Sequence, residues 1–475
     1  MPGKKGNKLL SNAVYQTLYQ VLATITPLIT SPYIARELGA ADLGMFSFSN
    51  SMVTYFTLFA MLGVVNYGTR TISQTEQTKP ALSRAFWSVY LLQALTSAAA
   101  LLGYGIYIAL AQPQMRPVAL VQAMLVLACF ADINWFFFGI EDFKLTVTRN
   151  IIIKLATVAA ILLFVKQGRS PLLVYAAIMA GGTLLANLSV LPFLRRHIGF
   201  YMPSAREIRS HIRPNITLFI PLLASSVFHV MDKTMLGSMA RYEESGYYYN
   251  ADKLVNIPLS VLKGLGTVFL PRATAIFKKS AEQGLAFLRN SFKLNMAITY
   301  LLAFGIAGCA REFVPFFFGE GYDPCILLTI VFTPVLVIKS ISMFYQMQYL
   351  VPTSREKVYI SATFVGAGVN AVANYLLIPR LGAMGAVIGT MLAEFAVMLV
   401  QMVLTHREIP AAGWLLSTLP YGIMGCIMVV VMRLLARLPL GQLVVLGLEI
   451  AGGGCLFLIF CAIYWFAVER RKVRN

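Results

Sequence analysis

The chain has 475 residues, 58% of them hydrophobic and only 12% charged, with a mean hydropathy of +0.71. About a quarter of an ordinary soluble domain is charged, so that class is excluded. A membrane barrel is excluded too, because the apolar runs are continuous and not short and alternating. The formal net charge of +19 does not point to nucleic acid, since the basic residues gather in alternate loops, the pattern that positive-inside sorting produces.

At about 20 apolar residues per crossing, the sequence predicts an all-α polytopic membrane protein with about fourteen spans. Their positions are 10–35, 43–68, 82–111, 117–139, 149–166, 171–194, 213–238, 247–270, 287–309, 325–351, 358–378, 383–404, 414–436 and 441–467. The basic start, including Lys4, Lys5 and Lys8, has no small-residue cleavage site after a short apolar core, so the first run is expected to be a retained span. One set of loops is rich in Lys and Arg: Arg70, Lys79 and Arg84; Lys144 and Arg149; Arg195 through Arg213; Arg272 through Lys293; Arg355 and Lys357; Arg407; and the tail Arg470, Arg471, Lys472 and Arg474. The other set carries only Arg36, Arg116, Lys166 with Arg169, Arg241, Arg311, Arg380, and Arg433 with Arg437. That asymmetry places both termini on the cytoplasmic side.

The longest polar stretch, about 195–213, divides the chain. Asp42-Leu43-Gly44 begins the second span, which ends Gly68-Thr69-Arg70. Glu244-Ser245-Gly246 begins the eighth, which ends Leu270-Pro271-Arg272, an offset of 202 residues at both ends. The expected organisation is a first six-helix lobe over 1–200, a second over 201–409, and two further helices with a basic tail over 410–475. Same-orientation repeats of six spans are a transporter architecture.

Within the second half, Lys253, Asn256, Ser260, Lys263 and Thr267 fall at i, i+3, i+7, i+10 and i+14, one polar stripe along an otherwise apolar helix that contains Pro258. A charge at mid-bilayer costs about 3 kcal/mol, so this stripe wants a wet cavity or a partner. Lysines that snorkel to the two interfaces are the other reading, and it suits Lys253 better than Lys263. The second span has an uncharged stripe of its own, Ser47, Asn50, Thr54 and Thr57. Other ionisable groups at span depth are His229, Asp232, Lys233, Asp132, Lys154, Lys339 and Glu394. Asp232 and Lys233 point about 100° apart, so one of them should meet another helix. Lys339 and Glu394 are read either as cavity groups or as a buried interhelical pair. Six scattered cysteines show no metal or CxxC spacing, and no cofactor is implied. There is no GxxxxGK[ST], HExxH or GxSxG, and no loop long enough to carry catalysis, so an enzyme is not expected.

Local words then become recognisable. They are Pro32-Tyr33-Ile34-Ala35-Arg36-Glu37-Leu38-Gly39, Trp135-Phe136-Phe137-Phe138-Gly139-Ile140-Glu141-Asp142-Phe143, and Asp232-Lys233-Thr234-Met235-Leu236-Gly237. Further on come Gln348-Tyr349-Leu350-Val351-Pro352 and Asn370-Ala371-Val372-Ala373-Asn374-Tyr375. In this order the chain resembles, over essentially its whole length, the Wzx-type polysaccharide flippases of the MOP superfamily. The resemblance implies a MATE-like fold of two six-helix lobes around a central cavity, with two extra helices. It implies transport of a polyprenyl-diphosphate-linked oligosaccharide across a bacterial or archaeal cytoplasmic membrane, with a polysaccharide polymerase and a chain-length regulator as further partners. On that reading Lys253, Lys263, Asn256, Ser260, Lys233, Lys339, Asn50 and Thr54 are candidate cavity residues. Asp232, Asp252 and Glu394 are candidates for ion coupling. The alternatives are a cation-coupled multidrug exporter, disfavoured by a first span without acidic residues, and a peptidoglycan-precursor flippase of the same superfamily.

Overall fold

The computed structural model describes residues 2–168 and 170–469, with their side chains apart from those of 2–21, 23, 143, 468 and 469. Arg169, Arg470, Arg471, Lys472 and Arg474 lie outside the described residues, as do the side chains of Lys4, Lys5 and Lys8. Most of the described residues are helical, and none lies in a strand. Backbone hydrogen bonding in a bilayer must be satisfied within the chain, and helices do this segment by segment.

The first compact unit, Met1–Gly237, holds α1 (Pro2–Met61), α2 (Val64–Gln74), α3 (Lys79–Leu110), α4 (Arg116–Ala131), α5 (Asn134–Gly139), α6 (Phe143–Phe164), α7 (Pro171–Leu188), α8 (Leu191–Leu194) and nearly all of α9 (Ala205–Met239). A straight helix of 60 residues would measure about 90 Å, three times the bilayer core. Gly39 breaks α1 with φ 72° and ψ 173°, a region that costs a side-chain-bearing residue heavily, and so makes two legs of it. Thirteen segments among the described residues are long and apolar enough to span a membrane, and the first of them contains this break. Counting its legs separately gives the fourteen spans that the sequence predicts.

The tryptophan word is a packing device. Asp132 ends α4, and its Oδ1 accepts from the backbone N–H of Asn134 at 3.3 Å and from Asn134 Nδ2 at 2.7 Å, turning the chain into α5. Trp135, Phe136 and Phe137 are fully buried with Phe86, Val64 and Ile72. Trp135 Nε1 donates to Gln93 Oε1 at 2.9 Å, which satisfies the one polar atom of the indole. At the start of α9, Ser204 and Glu207 form a reciprocal cap: the Ser204 N–H donates to Glu207 Oε2 at 2.7 Å, and the Glu207 N–H donates to Ser204 Oγ at 3.3 Å.

The second unit, Ser238–Asn475, holds α10 (Tyr242–Phe277), α11 (Ala281–Phe318), α12 (Asp323–Phe344) continued by a π-helical turn at Tyr345–Leu350, α13 (Glu356–Leu381), α14 (Ala383–Leu404), α15 (Ala411–Leu435) and α16 (Gln442–Tyr464). Its core is the seam of α11, α12 and α15, where Phe292, Phe344, Tyr345 and Trp414 pack together. Pro258 and Pro271 do not interrupt α10, which runs on to Phe277. Proline removes one donor and crowds the carbonyl four residues back, and tight packing against α11 and α12 carries the helix through that loss. The eighth span therefore ends beyond Leu270-Pro271-Arg272. The second span instead breaks at Leu62–Gly63 before α2 resumes. Both matched words lie inside helices that run on, α2 to Gln74 and α10 to Phe277.

Candidate functional site

In the first unit, the second leg of α1 faces α4 and α7 across a cavity of about 410 Å³. Thr54 and Thr57 line it from α1, Asp132 from the end of α4, and Thr183 and Asn187 from α7. Thr54 Oγ1 donates to the Asn50 carbonyl at 2.6 Å, so the threonine keeps its lone pairs for the cavity side. Behind Asp132 a polar chain continues: Arg149 Nη2 donates to Asn134 Oδ1 at 2.9 Å, and Asn187 Nδ2 donates to the Ala128 carbonyl at 3.0 Å. Asp132, which the sequence marks only as an ionisable group at span depth, both turns the end of α4 and lines the cavity. Asn50 is half-buried and does not line this cavity, whereas Thr54 does. A second cavity of about 570 Å³ lies between α2 and α9, with Tyr67, Arg70, Thr71, Gln74 and Thr217 on its wall. Tyr67 Oη is 2.6 Å from His211 Nδ1 at its edge.

On α9, Asp232 is buried and its neighbour Lys233 half-buried, as the 100° between them requires. Thr234 Oγ1 donates to Tyr55 Oη at 3.3 Å. His229 is exposed.

In the second unit, α10 buries Leu254, Val255, Pro258, Leu259, Leu262 and Gly266. Its opposite side carries the stripe: Asn256, Lys263 and Thr267 exposed, Lys253 and Ser260 half-buried. The two lysines are ten residues apart, about 15 Å along the axis. Lys253 Nζ lies 4.1 Å from the centroid of the Tyr249 ring, a cation–π contact. Asp252 is tied back by Asn256, whose Nδ2 donates to its Oδ1 at 2.6 Å and to its carbonyl at 2.9 Å. Lys339 is not on this surface. Its Nζ is 3.0 Å from Glu394 Oε1, with side-chain exposures of 20% and 5%, so α12 and α14 are joined by a buried ion pair.

The family described as polysaccharide biosynthesis protein matches residues 9–277, more than half of the chain. The chain belongs to this family. A curated relative, the "Putative O-antigen transporter" of Escherichia coli (strain K12), is 22% identical over 369 residues, covering 76% of this chain and 87% of its own. Among solved structures, the lipid II flippase MurJ in an inward closed conformation superposes with a TM-score of 0.76 over 97% of this chain and 99% of its own, at 14% identity. An inward-facing multidrug resistance MATE family transporter of the MOP superfamily gives 0.65 over 84% and 98%, at 12% identity. These likenesses show the fold: this polysaccharide biosynthesis family member is a multi-pass helical membrane protein with the fold of these two structures.

Two polar groupings in this family member were not assembled by sequence reasoning. Asn370 and Asn374 of α13 are fully buried, Asn374 Nδ2 donates to Asn370 Oδ1 at 3.2 Å, and nearby Thr390 of α14 lies 3.1 Å from Tyr248 Oη of α10. The i, i+4 spacing of the asparagines was the available signal. Arg433 of α15 bridges Glu312 of α11 and Glu449 of α16. The sequence counts Arg433 among loop charges because it stands in the last turn of its span.

Proposed function

We propose that the chain flips a polyprenyl-diphosphate-linked oligosaccharide from the cytoplasmic to the outer leaflet for surface polysaccharide export, as a transporter and not an enzyme. The observation that carries this is the α10 stripe in a member of a polysaccharide biosynthesis family: two lysines about 15 Å apart on a polar face of an apolar helix. The diphosphate is anionic, and fixed cations in a low-dielectric cleft attract it strongly. Asn256, Ser260, Thr54 and Asn50 supply hydrogen-bonding groups for sugar, while the prenyl tail stays in lipid. Lys253 and Lys263 hold the headgroup at successive depths and Lys233 assists. Lys339, already neutralised by Glu394, is a weaker handle. The lobes 1–200 and 201–409 move against each other in alternating access, and 410–475 is accessory. Asp232, Asp252 and Glu394 are the candidates for a coupling proton or sodium, an idea that pH- and sodium-independent transport removes. The setting is a bacterial or archaeal cytoplasmic membrane with both termini inside, where a polymerase and a chain-length regulator act on the product.

The test uses a strain lacking the gene with its sugar pathway intact. Lipid extracts analysed by mass spectrometry are expected to accumulate one polyprenyl-diphosphate oligosaccharide. Wild-type protein clears it, and Lys253→Gln/Lys263→Gln protein, present at normal level in the membrane, does not. Clearance by the double variant makes the stripe structural. No accumulation, with altered sensitivity to cationic drugs, moves the reading to an exporter.

A further inference from the structure

The last two helices carry a charge imbalance that packing alone does not explain. Arg433 stands in the last turn of α15, Glu312 less than two turns from the end of α11, and Glu449 about two turns into α16. Arg433 Nη1 donates to Glu312 Oε1 at 3.1 Å, and Nη2 donates to Glu449 Oε1 at 2.5 Å, to Glu312 Oε2 and to the Gly308 carbonyl. Glu449 has no exposed side-chain surface, and Glu312 and Arg433 expose 19% and 28%. The same three helices bury an apolar cluster that includes Cys309, Met428, Met432 and Leu446. From the two helices packed against α16 here, the titratable or charged groups that face Glu449 are Glu312 and Cys309 of α11 and Arg433 of α15.

One guanidinium and two carboxylates leave a net charge of −1 in an apolar seam if both acids are ionised. Such a charge is costly away from water, and the arginine leaves the fourth carboxylate oxygen unreached: Nη1 goes to Glu312, Nη2 is shared among three acceptors, and the buried Nε has no partner either. That oxygen, Glu449 Oε2, is buried and has no hydrogen-bond partner. A single proton on the pair resolves both problems: it neutralises the cluster and gives Glu449 or Glu312 an O–H to donate. A metal ion fits worse, since it would sit beside a guanidinium, and among the described residues no group of three His, Cys, Asp or Glu side chains is placed to hold one.

We propose that Glu312 and Glu449, gathered on Arg433, form a proton-binding site that holds one proton at neutral pH and clamps α16 to α15 and α11 only while that proton is bound. This site is independent of the transport reading above.

The experiment compares wild-type, Glu449→Gln and Glu312→Gln protein, purified full-length in detergent. Infrared difference spectra at neutral pH are expected to show an acid C=O band in the wild type that is missing from both variants, because each leaves one ionised carboxylate on Arg433. Thermal unfolding followed from neutral to alkaline pH adds a functional reading. A native state that holds one proton more than the unfolded state loses stability as pH rises, by up to tenfold in the folding constant per pH unit. The wild type should show that loss, and Glu449→Gln, permanently neutral, should not. Absence of the acid band, a wild-type pH curve that superposes on that of Glu449→Gln, or stability set by sodium concentration in place of pH would each overturn the proposal. If Glu449→Gln fails to fold, the spectra of wild type and Glu312→Gln decide.

Discussion

Lys263 and Lys339 are both lysines in apolar helices, and the structure treats them in opposite ways. Lys263 is exposed on the stripe of α10, while Lys339 is held by Glu394 in a buried pair. The pair makes a sharp prediction. Glu394→Gln leaves an uncompensated ammonium between α12 and α14 and should cost about 3 kcal/mol or more, whereas Lys339→Met/Glu394→Leu, which removes both charges, should restore most of that loss. Unfolding of detergent-purified protein measures both, and equal destabilisation by the two variants would show that the pair is not the cause. The sequence marks each ionisable residue as out of place in an apolar run but does not give its partner. Lys339 and Glu394 are 55 positions apart, and the choice between cavity and pair is made by the packing of α12 on α14. Glu449 escapes notice for the converse reason: one acidic residue two turns from a span end reads as interfacial until Arg433 and Glu312 are beside it.

At the scale of elements, hydropathy makes the helices legible and leaves their breaks and seams hidden. Gly389 illustrates a seam. A Cβ there would collide with Asn374 Oδ1 of α13, so the glycine is what lets α13 and α14 close on a buried amide. Gly389→Ala should therefore destabilise the second unit by about 1–3 kcal/mol through overpacking, read as a lowered thermal midpoint, and an unchanged midpoint would mean that the seam has slack. A second link lies outside the spans. Glu408, in the loop between α14 and α15, accepts hydrogen bonds from Arg355 and from Tyr349 Oη, the latter at 2.7 Å. The guanidinium first and the phenol second hold its carboxyl below the ordinary value of 4.5. A depressed carboxylate contributes stability above its ordinary value and loses it as pH falls through the folded value. Wild-type protein should accordingly lose more thermal stability than Glu408→Gln between neutral and strongly acidic pH. The difference should be small, since both partners are partly exposed. Parallel acid curves would remove the link.

At the scale of the whole molecule, the alternation of basic and poor loops predicts sidedness, and it rests on residues in helix ends as well as in connections: Arg196, Lys279 and Arg407 lie between helices, whereas Lys79, Arg206 and Lys357 stand in first turns. Met202 lies in the long basic stretch before α9 and is 73% exposed. Glu320 lies in the short connection between α11 and α12 and is exposed. Three candidate spans, α9, α10 and α11, separate these positions, so they are expected to face opposite compartments, Met202 the cytoplasm in the proposed orientation. A membrane-impermeant thiol reagent should label Glu320→Cys in intact cells and Met202→Cys only after permeabilisation, in a background with the native cysteines replaced. The same orientation sets the direction proposed for transport. On the function proposed above, basic loops on the cytoplasmic side favour first contact with an anionic headgroup in that leaflet. Labelling in the reverse pattern would invert every loop at once, leaving the helices and the ion pairs as they are but removing the electrostatic reason for outward flipping. Labelling of both positions in intact cells would break the odd number of crossings between them, and with it the assignment of α10 as a full span.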